Sequence, residues 1–259
     1  MTEPVGAVVA VVAHPDDESL IAGGTLALAA AAGAETGVVS LTRGERGPTS
    51  DPALATEATL GAVREQELRA AGELLGASWT SCLEWPDGEL AWIDQDAAAD
   101  EVAGVLDAAP PSAVLTFGED GLYGHSDHAA ARAVAHLAVE RLGADRVCVY
   151  EAAWPAGLVP ALIEAATEQG LPTGLWGLAP DAFGSPDAAP TLVVDVRAVL
   201  TRKLGALRAH RTQIGDDHLL TALPDALAER FLHSEPWRLT SNRPQGGCIL
   251  SRLLGAGDD

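Results

Sequence analysis

The run Ala7-Val-Val-Ala-Val-Val-Ala13 constrains the fold of this chain more than any other segment. A short, unbroken stretch of β-branched and small apolar residues is typical of a central strand in a parallel sheet, because helices bury both faces of such a strand. An Ala- and Leu-rich helix over residues 19–32 follows and ends at Gly33, and residues 37–41 predict a second strand. The chain therefore opens as a β-loop-α-β unit.

Residues 64–152 repeat this alternation. The segments are a helix over 64–75, a strand over 79–83, a helix over 96–107, a strand over 113–116, a helix from about 125–127 to 142, and a strand over 146–152. Strands that alternate with helices of this length predict a parallel sheet. We expect an α/β fold with a doubly wound, mostly parallel, Rossmann-like sheet and helices on both of its faces.

The alternation weakens after residue 152. Residues 154–190 are rich in Pro and Gly and predict irregular loops around a site or a lid. Residues 191–195 predict a late strand, and residues 197–210 a helix. A chain of 259 residues lies within the range of one large α/β domain. We therefore expect a single domain over residues 1–259, with the Rossmann-like core in 1–152 and an irregular C-terminal lobe or lid with closing elements in 153–259.

The charge of the chain argues against polyanionic partners. The formal net charge of −21 repels nucleic-acid phosphates and anionic lipid surfaces. We therefore expect no nucleic-acid partner and no membrane partner. The acidity identifies no substrate, because a GC-rich genome or a salty cytoplasm produces the same composition.

The cysteines and the apolar N-terminal run bear on the compartment. Cys82, Cys148 and Cys248 are far apart and form no C-x-x-C pair, so the sequence predicts neither a thiolate zinc site nor a disulfide framework. We interpret them as buried small hydrophobic residues. The run over residues 7–13 is too short to span a membrane and lacks the basic region and cleavage site of a signal peptide. We expect a protein of the reducing cytoplasm.

The loop His14-Pro-Asp-Asp-Glu18 follows the first strand directly. In open α/β sheets, ligands bind beyond the carboxyl ends of the strands, so this location favours a functional site. Asp and Pro are also common at the start of a helix. Taken alone, the loop is therefore explained equally well as a helix cap.

A second polar cluster, Tyr123-Gly-His-Ser-Asp-His128, follows the strand over residues 113–116. Both loops then reach the same edge of the sheet and converge on one crevice. Zinc in hydrolytic sites takes imidazole nitrogen and carboxylate oxygen from three protein ligands and leaves a position for water. Two histidines and one aspartate from these loops meet that requirement.

The segments Ala13-His-Pro-Asp-Asp-Glu18 and Gly124-His-Ser-Asp-His128 resemble the signature of a known enzyme family. It is the zinc-dependent N-acetylglucosaminyl-phosphatidylinositol de-N-acetylase family, also called LmbE-like, which includes mycothiol-pathway deacetylases and amidases. Weaker motifs in the same order extend the resemblance over most of residues 7–213: Leu41-Thr-Arg-Gly-Glu-Arg-Gly47, Arg64-Glu-Gln-Glu67 with Ala71, Leu83-Glu-Trp-Pro-Asp-Gly88, and Lys203 with His210 and Gln213. The resemblance implies a hydrolase that deacylates an amide nitrogen with one zinc ion per chain.

The family pattern implies a metal site and a base in the first loop. It makes His14, Asp17 and His128 the metal ligands and Asp16 the general base. Asp17 can bend back to the ion that His14 binds, whereas the neighbouring Asp16 stays off the metal and can accept a proton from its water.

The second loop carries the other implied catalytic residues. His125 resembles the family histidine that, when protonated, stabilises the tetrahedral oxyanion or protonates the leaving amine. Asp127 would hold His125 charged and oriented, although Asp127 could instead cap the helix that begins there. Tyr123 would be a second oxyanion donor, as in mycothiol-type members.

Three residues are candidates for substrate binding. Arg64 matches a family arginine that contacts the sugar or other polar groups of the substrate, and a surface pair with Glu67 is the alternative. Arg43 and Glu45 lie in the turn after the second strand, where glycines bring the backbone close to a ligand.

Two other functions stay open. Asp16 and Asp17 could hold Mg²⁺ in a phosphotransfer enzyme, but the two histidines argue against a site for that hard cation. A non-catalytic module of the same fold that binds a sugar or thiol conjugate is the stronger rival. A nicotinamide dehydrogenase is excluded, because no G-x-G-x-x-G motif opens the first helix.

The expected partner is a small-molecule glycoconjugate, since the family's usual substrates are N-acetylglucosamine conjugates such as inositol-linked sugars and thiol cofactors. The segment 123–125 and the GC-rich composition favour the mycothiol-pathway type, and an antibiotic or glycolipid deacetylase stays open. His210 and Gln213 are left outside the metal site. The apolar stretches around Trp154, Trp176 and Trp237 could build a subunit contact or a substrate wall but receive no assignment, which leaves homo-oligomerisation open.

Overall fold

The strands form one mixed sheet in the computed structural model, which describes residues 6–143, 147–241 and 248–254. The strands are β1 (Ala7–Val12), β2 (Thr36–Ser40), β3 (Trp79–Cys82), β4 (Pro111–Thr116), β5 (Cys148–Ala152), β6 (Leu192–Asp195) and β7 (Ser234–Leu239). They lie in the order β3-β2-β1-β4-β5-β7-β6. The first five of this order pair in parallel, and β7 is antiparallel to both β5 and β6. The predicted, mostly parallel sheet is confirmed.

Helices cover this sheet in two layers. The helices are α1 (Asp17–Ile21), α2 (Gly23–Ala31), α3 (Leu60–Leu75), α4 (Gln95–Ala108), α5 (Gly121–Gly124), α6 (Ser126–Arg141), α7 (Leu158–Glu168), α8 (Leu200–Ala209), α9 (Asp225–Phe231) and α10 (Ile249–Leu254). In one layer α2, α3 and α8 contact one another, and in the other α4 packs on α6. This is the doubly wound arrangement expected from the sequence. Within the residues described, no helix combines the length and apolar character needed to cross a membrane.

The first strand lies at the centre of the fold, as its composition predicts. All six residues of β1 are buried, and Val9 pairs with Gly37 of β2 on one side and with Val114 of β4 on the other. The chain proceeds outward from β1 through β2 to β3 and then returns to the opposite side of β1 with β4. The carboxyl ends of β1 and β4 therefore flank a topological switch point, where ligands bind in sheets of this kind.

The helix predicted over residues 19–32 is divided into α1 and α2 at Ala22. A buried carboxylate explains the break. Glu235 of β7 accepts hydrogen bonds from the backbone N–H groups of Gly24 and Thr25, both at 2.7 Å, and so caps the new N-terminus of α2. Glu235 also pairs with Lys203 at 2.6 Å, which connects this terminus to α8.

The irregular character predicted for residues 154–190 is only partly correct. The segment contains α7, whose buried residues are Val159, Leu162, Ala165 and Ala166. Pro160 lies in the first turn of α7, where its missing N–H group removes no intrahelical hydrogen bond. The elements α9, β7 and α10 were not predicted. In β7, charged residues and a proline stand in place of an apolar run.

The prediction of three unpaired cysteines is wrong. Cys148 at the start of β5 and Cys248 beside α10 form a disulfide that closes a separation of 100 residues. Their distance in sequence gave no signal of this pairing, since connectivity depends on the topology that brings the C-terminus back to β5. Cys82 is the free cysteine.

The disulfide makes the stability of the chain sensitive to reductant. We expect thiol titration of denatured, unreduced protein to detect Cys82 alone, and all three cysteines after reduction. Reduction should lower the free energy of unfolding by ~2–4 kcal/mol, because the open chain gains conformational entropy when unfolded. Denaturant unfolding with and without reductant measures this change. A Cys82→Ser variant is the matched control and should keep the same dependence; three titratable thiols in unreduced protein would contradict the pairing.

Candidate active site

The two polar loops predicted to converge do so at the switch point. His14 follows β1 directly, and α5 and the start of α6 place His125 and His128 beyond the end of β4. The centroid of the His14 ring lies 5.1 Å from that of His125 and 5.4 Å from that of His128. The carboxyl ends of two neighbouring parallel strands therefore bring residues more than 100 positions apart into one cluster.

Asp17 bridges two of these imidazoles. Its Oδ2 accepts the backbone N–H of His14 at 2.8 Å and lies 3.3 Å from His14 Nδ1. Its Oδ1 lies 3.3 Å from His128 Nε2. Burial alone would raise the pKa of the Asp17 carboxyl, but the neighbouring His128 and His14 rings hold that pKa well below its ordinary value. Asp17 is therefore a carboxylate that faces two ring nitrogens.

The nitrogen of His128 that faces Asp17 suits a metal ligand. The other ring nitrogen, Nδ1, lies 3.0 Å from the carbonyl oxygen of Gly121, to which it donates if it carries the proton. Within the described part of the chain, buried Nε2 has no hydrogen-bond partner, since the 3.3 Å approach to Asp17 lacks hydrogen-bond geometry. A deprotonated nitrogen directed at a carboxylate is costly to bury without a cation. Candidate ligand atoms of His14, Asp17 and His128 all lie within 4.8 Å of one another.

A second group, His14, His125 and Asp127, also satisfies the distance requirement for a metal site. The Asp127 carboxylate and one nitrogen of His125 in this group already have other partners. The Asp127 carboxylate accepts the N–H groups of Gly88 at 2.7 Å and Leu90 at 3.2 Å, and Nδ1 of His125 accepts the N–H of Asp127 at 3.1 Å. The group with Asp17 and His128 is therefore the better candidate, because Nε2 of buried His128 has no hydrogen-bond partner among the described residues.

Asp127 does not have the partner expected from the sequence. In the chain as described, its carboxylate contacts Gly88, Leu90 and Nε2 of His14, at 3.4 Å from the last, and not the His125 ring. The alternative of a helix cap is also wrong, because His125 caps α6 through Nδ1. Asp127 therefore orients His14, which is the way a carboxylate commonly supports a metal-binding histidine.

Asp87 is a second carboxylate on the same edge of His14. Its Oδ1 lies 3.1 Å from His14 Nε2, and its Oδ2 accepts the N–H of Arg46 at 2.8 Å. Although burial opposes ionisation, the contact with His14 lowers the pKa of Asp87 to about 2. Asp87 lies within the motif over residues 83–88, but it was not among the residues predicted for the site.

Asp16 differs from its neighbour Asp17 in backbone and environment. It has φ 120° and ψ −30°, a left-handed conformation that a non-glycine residue adopts at a cost of ~1–3 kcal/mol. Burial raises the pKa of Asp16 to about 6, against the opposing charge of Arg64, whose Nη2 lies 3.3 Å from Oδ2. Asp16 precedes α1, but its side chain makes no capping hydrogen bond within the described chain. The alternative of a helix cap is therefore wrong for this residue.

His125 and Tyr123 form the wall on the other side of His14. Because Nδ1 of His125 accepts a hydrogen bond, the proton of the neutral ring is on Nε2. Burial and the nearby His128 and His14 rings lower the pKa of His125. The Tyr123 ring lies edge-on to His125 with centroids 5.7 Å apart, and burial raises the pKa of its hydroxyl, which stays protonated.

The three predicted substrate-binding residues lie in different places. Arg64 is buried and lines the cavity, where it donates to the carbonyl oxygens of Gly44 at 2.8 Å and Pro15 at 2.6 Å. A surface pair with Glu67 is therefore excluded. Arg43 and Glu45 are not among the residues that line the cavity in the described chain. Their side chains bind other parts of the protein: Arg43 pairs with Glu65 and Glu84, and Glu45 accepts the N–H of Asp87.

The loops that carry His14 and His125 border a cavity of about 250 Å³. Its lining consists of His14, Asp16, Asp17, Leu20, Gly47, Pro48, Arg64, Asp87, Tyr123, His125, Trp176, Leu178 and Gln213. Of the three tryptophans that could build a subunit contact or a substrate wall, Trp176 lines the cavity. Trp237 is fully buried and donates to Thr25, and Trp154 is buried.

Two buried residues in contact with this site were not assigned by the sequence. Glu18 is the last residue of the first loop, and His210 belongs to the late motif that was left unexplained. Both are fully buried, and His210 Nε2 lies 2.8 Å from Glu18 Oε1. A glutamate that follows two functional aspartates is a local signal for Glu18, but the pairing with His210 depends on tertiary structure.

A buried His-Asp-His cluster beside a further carboxylate, at the switch point of a doubly wound sheet, has the donor set and the location typical of metal sites in α/β hydrolases. The chain belongs to the GlcNAc-PI de-N-acetylase family, whose model matches residues 9–140. It is accordingly a hydrolase that acts on an amide C–N bond. The expected family is confirmed.

Curated relatives match most of the chain. A 1D-myo-inositol 2-acetamido-2-deoxy-alpha-D-glucopyranoside deacetylase of Thermobispora bispora is 35% identical, over 90% of this chain and 87% of the relative. The protein of the same name from Acidothermus cellulolyticus is also 35% identical, over 84% of this chain and 83% of the relative.

Solved structures share the fold. An N,N'-diacetylchitobiose deacetylase from Pyrococcus horikoshii, in complex with an inhibitor, has a TM-score of 0.62 and 24% identity and covers 90% of this chain and 83% of its own. The zinc-inhibited form of a teicoplanin deacetylase has a TM-score of 0.58 and 18% identity and covers 91% of this chain and 98% of its own. At these identities the likeness establishes the fold alone.

The contact between Asp127 and His14 predicts an effect on metal affinity. Asp127→Asn removes one of the two carboxylate charges that face Nε2 of His14, and we expect it to weaken binding of a divalent metal about 10–100-fold. Titration of chelator-treated protein with Zn²⁺ against a competing chelator measures this change. Asp94→Asn is the matched control, because Asp94 also accepts two backbone N–H groups but caps α4 outside the site. Unchanged affinity in Asp127→Asn would contradict the orienting role.

Proposed function

We propose that this chain is a zinc-dependent N-deacetylase of N-acetylglucosamine-type conjugates. The observation that carries the proposal is the pair of adjacent aspartates on one cavity wall. Asp17 faces the two histidines, whereas Asp16 lies outside their cluster with a pKa raised by burial to about 6. One carboxylate is suited to bind a metal and the other to accept a proton.

His14, Asp17 and His128 would hold one zinc ion. Two imidazole nitrogens and one carboxylate oxygen are the donor set of many hydrolytic zinc sites. When bound, zinc polarises the amide carbonyl and acidifies water. Asp127 and Asp87 support the site by fixing Nε2 of His14, so that Nδ1 faces Asp17.

Asp16 acts as the general base of the reaction. Its carboxylate accepts a proton from the water that attacks the carbonyl carbon of the amide. The C–N bond then breaks, the acyl group leaves as a carboxylic acid, and the amine receives a proton. Arg64 contacts Asp16 at 3.3 Å and fixes its orientation. Above a pH of about 6 the carboxyl is ionised and able to accept the proton.

His125 and Tyr123 act on the opposite side of the scissile bond. Both line the cavity, and both carry a donor group: the Nε2–H of neutral His125 and the hydroxyl of Tyr123. Donors fixed in a largely buried site stabilise the negative charge that develops on the carbonyl oxygen. The proton that Asp16 accepts from the water passes to the leaving amine, and neutral His125 keeps its own proton.

The substrate is a small-molecule glycoconjugate of the kind named in the curated relatives, an inositol-linked N-acetylglucosamine. Arg64 and Gln213 supply polar contacts, and Trp176 and Leu178 supply an apolar wall for one face of a sugar ring.

We propose the cytoplasm as the compartment and a single domain as the organisation. The disulfide between Cys148 and Cys248 is the feature that a cytoplasmic location has to accommodate, because disulfides are uncommon there.

Metal analysis and activity test the reaction class together. Protein purified without added metal should contain about one zinc per chain. It should release amine from N-acetylglucosamine conjugates, lose this activity on chelation and regain it with zinc. A protein that neither takes up zinc nor releases amine would instead be the binding module.

The assignment of the base is tested by Asp16→Asn. We expect the turnover number to fall by a factor on the order of 10²–10⁴, because proton transfer in the transition state is lost, while the zinc content stays that of the wild type. Steady-state amine release and metal analysis measure the two quantities, with Asp94→Asn as the control. Wild-type turnover on a confirmed substrate would show that another group is the base.

A further inference from the structure

A buried ion pair lies directly behind the proposed base. Nε2 of His210 lies 2.8 Å from Oε1 of Glu18, and both side chains are fully buried. Ser19 donates to the same carboxylate at 2.5 Å. Neither Glu18 nor His210 lines the cavity, so neither contacts a substrate there.

The second oxygen of Glu18 binds the backbone of the base itself. Oε2 accepts the N–H of Asp16 at 3.0 Å. Asp16 has the left-handed φ of 120°, which L-residues avoid and which persists only where neighbouring groups enforce it. Glu18 forms a hydrogen bond at the residue that carries this strain.

His210 lies in a segment after α8 that has its own contacts with the rest of the fold. It follows α8, which contacts α1, α2 and α3. The next anchor is Thr212, whose N–H and hydroxyl bind the carboxylate of Glu67 in α3 at 2.8 and 2.6 Å. The position of His210 is therefore fixed from α3 and α8, which lie on the layer of helices beside the first loop.

Arg64 secures the same loop from the other side. Its Nη2 donates to the carbonyl oxygen of Pro15 and contacts the Asp16 carboxylate. The peptide between Pro15 and Asp16 thus has its oxygen bound by Arg64 and its N–H bound by Glu18. Both ends of one peptide unit are held by buried charged groups.

We propose that Glu18 and His210 are positioning residues for Asp16: the His210–Glu18 pair holds the Asp16 peptide in its left-handed conformation and so aims the carboxylate at the site of proton transfer. This inference rests on the proposed function, in which Asp16 is the base. Glu18 acts through the Asp16 N–H, and His210 acts through Glu18.

The other buried glutamates provide a matched comparison. Glu151 is also fully buried, and its carboxylate pairs with Arg132 at 2.7 Å, His136 at 2.9 Å and Arg238 at 2.9 Å. These partners lie on α6 and β7, and none belongs to the first loop. Loss of the Glu151 charge therefore disturbs a buried network of the same kind without a contact to Asp16.

The test compares Glu18→Gln with Glu151→Gln. We expect Glu18→Gln to lower kcat by a factor on the order of 10², because small misplacements of a catalytic group have effects of that size. The KM and the zinc content should stay those of the wild type. Glu151→Gln should lose thermal stability but keep kcat within about twofold.

A double-variant cycle separates positioning from general destabilisation. If Glu18 acts through Asp16, then Glu18→Gln should lower the residual kcat of Asp16→Asn by less than about twofold. His210→Leu should lower kcat as Glu18→Gln does. His210→Gln, which keeps an N–H donor near the position of Nε2, should lose less than His210→Leu.

Three results would overturn the inference: wild-type kcat in Glu18→Gln, loss of zinc from that variant, or an equal further loss in the Asp16→Asn background. Each of these leaves the proposed function intact, provided that the wild type binds zinc and releases amine. Failure of the proposed function is recognised separately, as a wild-type protein that does neither.

Discussion

The arrangement of the site depends on the imidazole of His14, which contacts three carboxylates. Its Nδ1 faces Asp17, and its Nε2 faces Asp87 and Asp127. Each of these carboxylates has a further partner. Asp17 contacts His128, and Asp87 accepts the N–H of Arg46. Asp127 accepts the N–H groups of the 88–90 segment. Buried carboxylates are costly unless they are paired and hydrogen-bonded. One ring therefore joins the end of β1, the 87–90 segment and the start of α6.

The C-terminal part of the chain completes this N-terminal site through ion pairs and hydrogen bonds to carboxylates, most of them buried. Glu235 binds α2 and Lys203, His210 binds Glu18, and Thr212 binds Glu67. Breaking a buried pair leaves an uncompensated charge, so these contacts strongly favour one docking of the C-terminal elements. The division at residue 152 describes the sequence pattern, but the sheet includes β6 and β7, and the prediction of a single domain stays a prediction.

The sequence predicted those features that local pattern determines. The apolar run of β1 predicted a buried central strand, and motifs at the ends of β1 and β4 predicted that His14, Asp17 and His128 meet. It did not predict features that depend on distant partners. The expected contact of Asp127 with His125 was inferred from their closeness in sequence, whereas the helix start turns the carboxylate toward His14.

The same limit explains the other errors. Arg43 and Glu45 follow a strand that ends near the site, but local ion pairs and a backbone hydrogen bond hold their side chains away from the cavity. The strand β7 contains a proline and charged residues, and it forms only because β5 and β6 supply partners on both sides. The disulfide between Cys148 and Cys248 likewise depends on the return of the chain to β5.

Asp16 and Asp17 are identical, adjacent side chains that lie in different environments. Adjacent carboxylates would titrate alike in an unfolded chain. In the fold, Asp17 faces two imidazoles that lower its pKa, whereas Asp16 turns away through its left-handed φ toward Arg64, with its pKa raised to about 6. Environments that separate the pKa values of neighbouring acids are the usual way for a protein to assign distinct chemical roles to them. The left-handed φ of Asp16 thus accompanies the separation of the two carboxylates, since Asp17 faces two imidazoles and Asp16 faces Arg64.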